Sequence, residues 1–212
     1  MDILDIHTHH PVPQPQGVES ICMHADTEGL VFMPSQRYSI GIHPWDTTAE
    51  ITPEEWARLE SLAAMPEVVA IGECGIDLTP HGGPLFRQIL VFKRHVELSE
   101  SLRKPLVIHD VKGHDIIAGA RRDLAPTQPW VIHGFRRKPE VAEMLLRAGC
   151  YLSFGEQFNA DTLRATPEDR ILAETDESPL DITEVIASLS AAYGKDLTPT
   201  IAENTMKILS KK

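Results

Sequence analysis

Short apolar runs closed by single polar residues recur along this chain, and between them apolar positions repeat every three or four residues. The first pattern predicts buried strands and the second amphipathic helices, so the chain reads as a repeated βα alternation. Eight strand candidates emerge, seven of them with defined positions. The first covers residues 2–7, and weaker ones cover 20–24 and 38–42. Clear runs are Val68-Val69-Ala70-Ile71-Gly72, Leu106-Val107-Ile108, Trp130-Val131-Ile132 and, as the eighth, Ile171-Leu172-Ala173. Pro11, Pro13 and Pro15 make the stretch up to residue 18 a loop, because each lacks an N–H donor and fixes its own φ. No full helix fits between the second and third strands.

Helices are clearest further along. From Pro53 the residues Trp56, Leu59 and Leu62 repeat at helical spacing, with Thr52 as N-cap and proline in the first position. The longest helix is predicted over 84–103, with an apolar stripe of Phe86, Ile89, Leu90, Phe92, Val96 and Leu98, ending before Lys104-Pro105. Others are expected over 114–124, over 139–148 ending on Gly149, over 182–193 ending near Gly194, and over 199–210.

The polar residues that close the strands carry the chemistry. His7, His9, Glu73, His109, His133 and Asp176 each sit at or just past the end of an apolar run. In a barrel of parallel strands the active site lies at the C-terminal ends, so these six side chains would converge although over a hundred residues separate the first from the last. Imidazole nitrogen and carboxylate oxygen suit Zn, Mn, Fe or Mg, and four histidines with two acids suffice for two divalent ions. His7 and His9, two apart on one strand, share a face, whereas His10 points the other way. Asp5 is placed to hold a ligand imidazole or to pair with backbone. Glu73 ends a buried run where a carboxylate is costly without a cation, which makes it the natural bridging ligand. Cys74 alternates into the core, and Asp77 caps a turn or supports a loop. Asp176 is the expected general base as well as a ligand, with Glu174 on the same face but deeper in the barrel.

Composition narrows the setting. At 212 residues the chain is expected to form one domain over 1–212. Its hydrophobic fraction of 42% is ordinary, and no run approaches the roughly 18 apolar residues of a membrane span. Three cysteines, Cys22, Cys74 and Cys150, fit buried thiols in a reducing compartment. With no signal-like start, a cytoplasmic protein with no membrane partner is expected. A net charge of −11 argues against a broad basic surface for nucleic acid, so any phosphate contact must be local.

Taken in order, the motifs resemble the TatD-type family of metal-dependent deoxyribonucleases, within the amidohydrolase-like barrels. DxHxH stands as Asp5-Ile6-His7-Thr8-His9 and GxHP as Gly41-Ile42-His43-Pro44. IGExGxD runs from Ile71 to Asp77, PxxIH from Pro105 to His109, HxF from His133 to Phe135, and ETDxxP from Glu174 to Pro179. Asn204 also looks like the family's late asparagine. The resemblance implies an α/β fold, a distorted TIM (β/α)8 barrel with shortened loops. It implies one metal on His7, His9, Glu73 and Asp176, a second on Glu73, His109 and His133, and His43 in the mouth near a substrate phosphate.

The chain departs from the family at its loops. It is compressed between His9 and Gly41 and again between His133 and Asp176. Where an arginine commonly follows the fifth strand's histidine, Asp110-Val111-Lys112-Gly113-His114 stands here, so Lys112 or His114 would bind phosphate instead. Arg136-Arg137-Lys138 forms the one dense basic cluster, and Arg136 is placed against a phosphodiester. The expected function is a two-metal hydrolase of phosphodiester bonds, a deoxyribonuclease on DNA ends or single strands, with a small phosphodiester as the other substrate class. A small phosphoester or amide hydrolase on the same barrel, or a metal-binding scaffold, are the alternatives; a lysine where Glu73 stands would favour the amide.

Overall fold

The computed structural model describes residues 3–10, 16–23 and 29–210. Its centre is a closed barrel of eight parallel strands in chain order, β1 to β8, with β8 returning to pair with β1 through Ala173 and Asp5. The strands are β1 (Asp5–Thr8), β2 (Gly17–Cys22), β3 (Arg37–Gly41), β4 (Val68–Asp77), β5 (Leu106–Val111), β6 (Trp130–Ile132), β7 (Tyr151–Phe154) and β8 (Ile171–Ala173). The βα alternation expected from the apolar runs and the barrel implied by the resemblance are therefore both present. The proline loop at residues 11–15 and His24 lie outside the described residues. The second strand starts at Gly17, three residues before the expected Ser20.

Six helices pack between or after the strands from β3 onward: α1 (Pro53–Ala63), α2 (Leu85–Leu102), α3 (His114–Leu124), α4 (Pro139–Arg147), α5 (Ala160–Ala165) and α6 (Ile182–Tyr193), with α7 (Thr198–Leu209) closing the chain. Among the described residues no helix follows β1 or β2, which is where the barrel is distorted. The α1 start is as expected: Thr52 Oγ1 accepts from Glu55 N at 3.2 Å while Thr52 N donates to the Glu55 carboxylate at 2.7 Å. Its other end is capped by buried Lys104, whose Nζ donates to the Ala63 and Met65 carbonyls.

The stripe expected on α2 needs correction. Phe92, Val96 and Leu98 are buried, but Phe86 and Leu90 are 62% and 64% exposed. The inner face carries Gln88, Val91, Phe92, His95, Val96, Leu98 and Ser99, because three polar residues on it each satisfy buried backbone. Gln88 accepts from Asp77 N and donates to the Asp77 and Gly83 carbonyls, His95 Nε2 accepts from Ile42 N, and Ser99 donates to the Lys104 carbonyl. Thus α2 fixes the last residue of β4 and the residue after β3, both beside the C-terminal mouth. Asn204 on α7 likewise donates to the Glu168 and Ile171 carbonyls and anchors the start of β8, away from that mouth. Among the described residues no helix is long and apolar enough to cross a membrane.

Candidate metal centre

Two local devices place the ends of the ligand-bearing strands. Where β1 meets β8, His9 N donates to the Asp176 carbonyl and Asp176 N to the His7 carbonyl, both at 3.0 Å. Asp176 takes a left-handed φ of 53°, a conformation that Asp tolerates better than most residues. Asp5 ties the same two segments from below: its carboxylate accepts from His7 N (3.2 Å), Thr175 N (3.1 Å) and Thr175 Oγ1 (2.6 Å). It thus pairs with backbone rather than with the His7 imidazole. Burial lifts the Asp5 carboxyl to about 7 despite these donors, with Glu174 adding to the rise. On β4, Gly72 and Gly75 bracket Glu73 and both have positive φ; a Cβ at either would collide with the backbone of β5. The IGExGxD pattern is thus the sequence mark of two strands in close backbone contact with Glu73 between them.

All six strand-end residues meet at the mouth, and Glu73 is at the centre. Its Oε2 lies 3.4 Å from His7 Nε2 and 3.3 Å from His9 Nε2, and Asp176 Oδ1 stands 3.6 Å from each of those nitrogens. Its Oε1 lies 2.6 Å from His109 Nδ1, 2.7 Å from His133 Nε2 and 3.2 Å from His43 Nε2. One carboxylate therefore turns one oxygen to each of two imidazole sets.

The two sets differ in how they fit an ion. Metal–donor bonds of about 2.0–2.2 Å place tetrahedral donors about 3.3–3.6 Å apart. The spacings of Glu73 and Asp176 to His7 and His9 match that, and both ring nitrogens of fully buried His7 lack a hydrogen-bond partner. An imidazole buried among acceptors without a bond is the state a ligand would relieve. In the second set the contacts to Glu73 are hydrogen-bond distances, while His109 Nδ1 and His133 Nε2 are 3.3 Å apart. The donor types of each set suit a divalent ion, and the second set would have to open slightly to hold one.

Electrostatics follow the same layout. Burial works against charge on Glu73, yet His133, His109 and His43 hold its carboxyl well below the usual range. Burial and His133 oppose charge on His7, but Asp176 and Glu73 outweigh them and raise it to about 9. For Asp176 the opposing burial is overcome by His7 and His133, leaving it at about 2. Behind His133, Glu174 Oε1 accepts from Gly134 N at 2.5 Å and stands 3.6 Å from His133 Nδ1, which makes no hydrogen bond.

The substrate-side residues divide. His43 reaches the centre itself: Nδ1 accepts from Trp45 N, leaving Nε2–H to face Glu73. Arg136 is exposed, donates to Gln157 Oε1, and with Arg137 lines a cavity of about 460 Å³ that opens from His109, His133 and Asp176. Lys112 is exposed outside that lining, and His114 stands 3.8 Å from Asp110. His10 turns away to the Ser178 carbonyl. Sequence reasoning gave Asp77 too small a part. It does hold a turn through Thr79 N, but its Oδ2 also lies 3.4 Å from His109 Nε2 and accepts from Trp45 Nε1 at 2.6 Å. The signal was available: Asp77 ends the same buried run as Glu73 and faces the same desolvation cost.

A family model described as TatD related DNase matches residues 23–210. The chain belongs to that family. Among relatives of this TatD-type chain, the Bacillus subtilis protein named uncharacterized metal-dependent hydrolase YabD is 32% identical over 146 residues, 65% of this chain and 57% of its own. The 3'-5' ssDNA/RNA exonuclease TatD of Erwinia billingiae is 35% identical over 147 residues, 64% of this chain and 55% of its own. The chain thus spans little more than half the length of these two. A solved TatD homologue of Escherichia coli, YJJV, superposes over 97% of both chains with a TM-score of 0.82 at 18% identity, which is a likeness of fold.

Proposed function

We propose that this TatD-type chain is a metal-dependent hydrolase of phosphodiester bonds, a nuclease acting on DNA ends or single strands. The observation that carries the reading is Glu73, one oxygen facing His7 and His9 and the other facing His109 and His133. Two divalent ions, Mg, Mn or Zn, would be held by His7, His9, Glu73 and Asp176 on one side and by Glu73, His109 and His133 on the other. When bound they supply Lewis-acid charge and a water of lowered pKa.

The chain's own residues do the rest. Asp176, partly exposed and ionised, faces the mouth where an attacking water would enter. There Asp176 orients or deprotonates that water. His43 stands beside Glu73 in the mouth where the scissile phosphate would lie, and Arg136 with Arg137 offers charge to a neighbouring phosphate. The name of the Erwinia relative, an exonuclease on single-stranded DNA and RNA, supports the polymer over a small ester.

Turnover of bis-p-nitrophenyl phosphate and of end-labelled single-stranded oligonucleotides, with Mn or Mg and after chelation, tests the proposal. Metal-dependent release from both substrates is the expected result. Turnover of the aryl ester alone would leave a small-phosphoester hydrolase, and no turnover of either would leave a binding protein.

A further inference from the structure

The mouth is asymmetric. The Arg136 cavity and a second cavity, of about 600 Å³, meet at His109, His133, Asp176 and Glu177, and the second is the one that reaches His9 and Glu73. No lysine or arginine is among the described residues lining the second cavity, and Ile21, Leu30 and Trp45 give it apolar wall. Trp45 is the informative residue. It is 49% exposed, unlike Trp56 and Trp130, which are buried. Its one polar atom is already satisfied by Asp77 at 2.6 Å, and its ring packs against His43 and His81 at 4.9 and 5.2 Å between centroids. An indole held this firmly offers its remaining ring surface at little entropic cost. A volume of this size is that of an ordinary small-molecule pocket.

The geometry points to Trp45 as the platform for the nucleobase adjoining the scissile phosphate, with that base in the Trp45, Ile21 and Leu30 cavity and the next phosphate toward Arg136. The charge distribution decides the orientation. Glu177 lines both cavities, but the two arginines line the first alone; a phosphate entering the Trp45 side would meet Asp46 and Glu177 with no lysine or arginine, whereas a flat neutral base would meet an aromatic face and apolar side chains. Asp77 is the positioning residue, since one carboxylate oxygen holds the indole and faces the His109 imidazole. This assignment rests on the phosphodiesterase reading and adds which side of the centre receives the base.

The test compares thymidine 5'-(p-nitrophenyl phosphate) with methyl p-nitrophenyl phosphate, which lacks the base, in the Mn-loaded enzyme. Base stacking predicts a preference in kcat/KM for the nucleoside ester of about five- to 100-fold, carried by KM. Trp45→Ala should reduce that ratio nearly to one, and Trp45→Phe should keep most of it. A second readout needs no turnover: thymidine 5'-monophosphate should quench tryptophan emission in the wild type, and the quench should vanish in Trp45→Phe because Trp56 and Trp130 are buried. An unchanged ratio in Trp45→Ala, or no quench in the wild type, overturns the assignment. Quenching without hydrolysis of either ester would uphold the base site and reject the phosphodiesterase reading instead.

Discussion

Glu73 and Asp176 are both carboxylates at strand ends, but their surroundings give them different work. Glu73 is buried and touches five imidazoles; Asp176 is partly exposed and faces two. Glu73→Ala removes a ligand common to both sets and leaves buried imidazoles without their counter-charge, so metal content and turnover should fall together. Asp176→Asn keeps three donors of the first set and all of the second. It should retain at least one ion per chain by metal analysis while kcat drops about 10²- to 10⁴-fold. Wild-type turnover in Asp176→Asn would remove that residue from the mechanism. The convergence of these residues was legible in sequence because each is a polar residue at the end of an apolar run, where burial without a partner is unfavourable. Trp45 was not legible as a site residue, because its meaning depends on a hydrogen bond to Asp77, 32 positions away.

At the scale of elements, strands were read well and helix faces less so. A parallel strand buried on both sides is apolar almost throughout, so its run survives any error in register. A helix declares its inner face by apolar spacing, and α2 breaks that code with Gln88, His95 and Ser99 inside and Phe86 and Leu90 outside. Those polar residues hold the mouth in place, which yields two expectations. Gln88→Leu strips partners from Asp77 N and the Asp77 and Gly83 carbonyls, and should cost about 1–3 kcal/mol in denaturant unfolding. His95 gives a pH dependence: burial pushes its pKa down from 6.5 to about 4, with Arg94 adding to the fall. Below pH 6.5 the unfolded chain takes up the proton and the folded ring does not. Stability present above that pH is therefore lost progressively down to about pH 4, then levels off. The full loss is about 3 kcal/mol. His95→Gln, which keeps an acceptor for Ile42 N but cannot titrate, should show a shallower decline over that window; parallel curves for the two proteins would refute the assignment.

For the whole molecule, the question is how a chain of net charge −11 approaches a polyanion. Long-range attraction is excluded by that sum, so affinity has to come from the cations that stand beside the centre. Arg136 and Arg137 open the loop before α4, with Lys138 at its N-cap, where a cation opposes the helix dipole. Their place in the cavity beside His109 and His133 gives that arrangement a reason, because a phosphate there would meet two guanidinium groups. Replacing both arginines by alanine should raise KM for a single-stranded oligonucleotide far more than KM for an aryl phosphodiester, since the aryl ester has no second phosphate to reach them. It should also flatten the dependence of log kcat/KM on log salt by about 0.7 per lost phosphate contact. If the salt slope and the ratio of the two KM values both stay at wild-type values, the loop is a solvated helix start, and the substrate is a small phosphoester that ends at the metal centre.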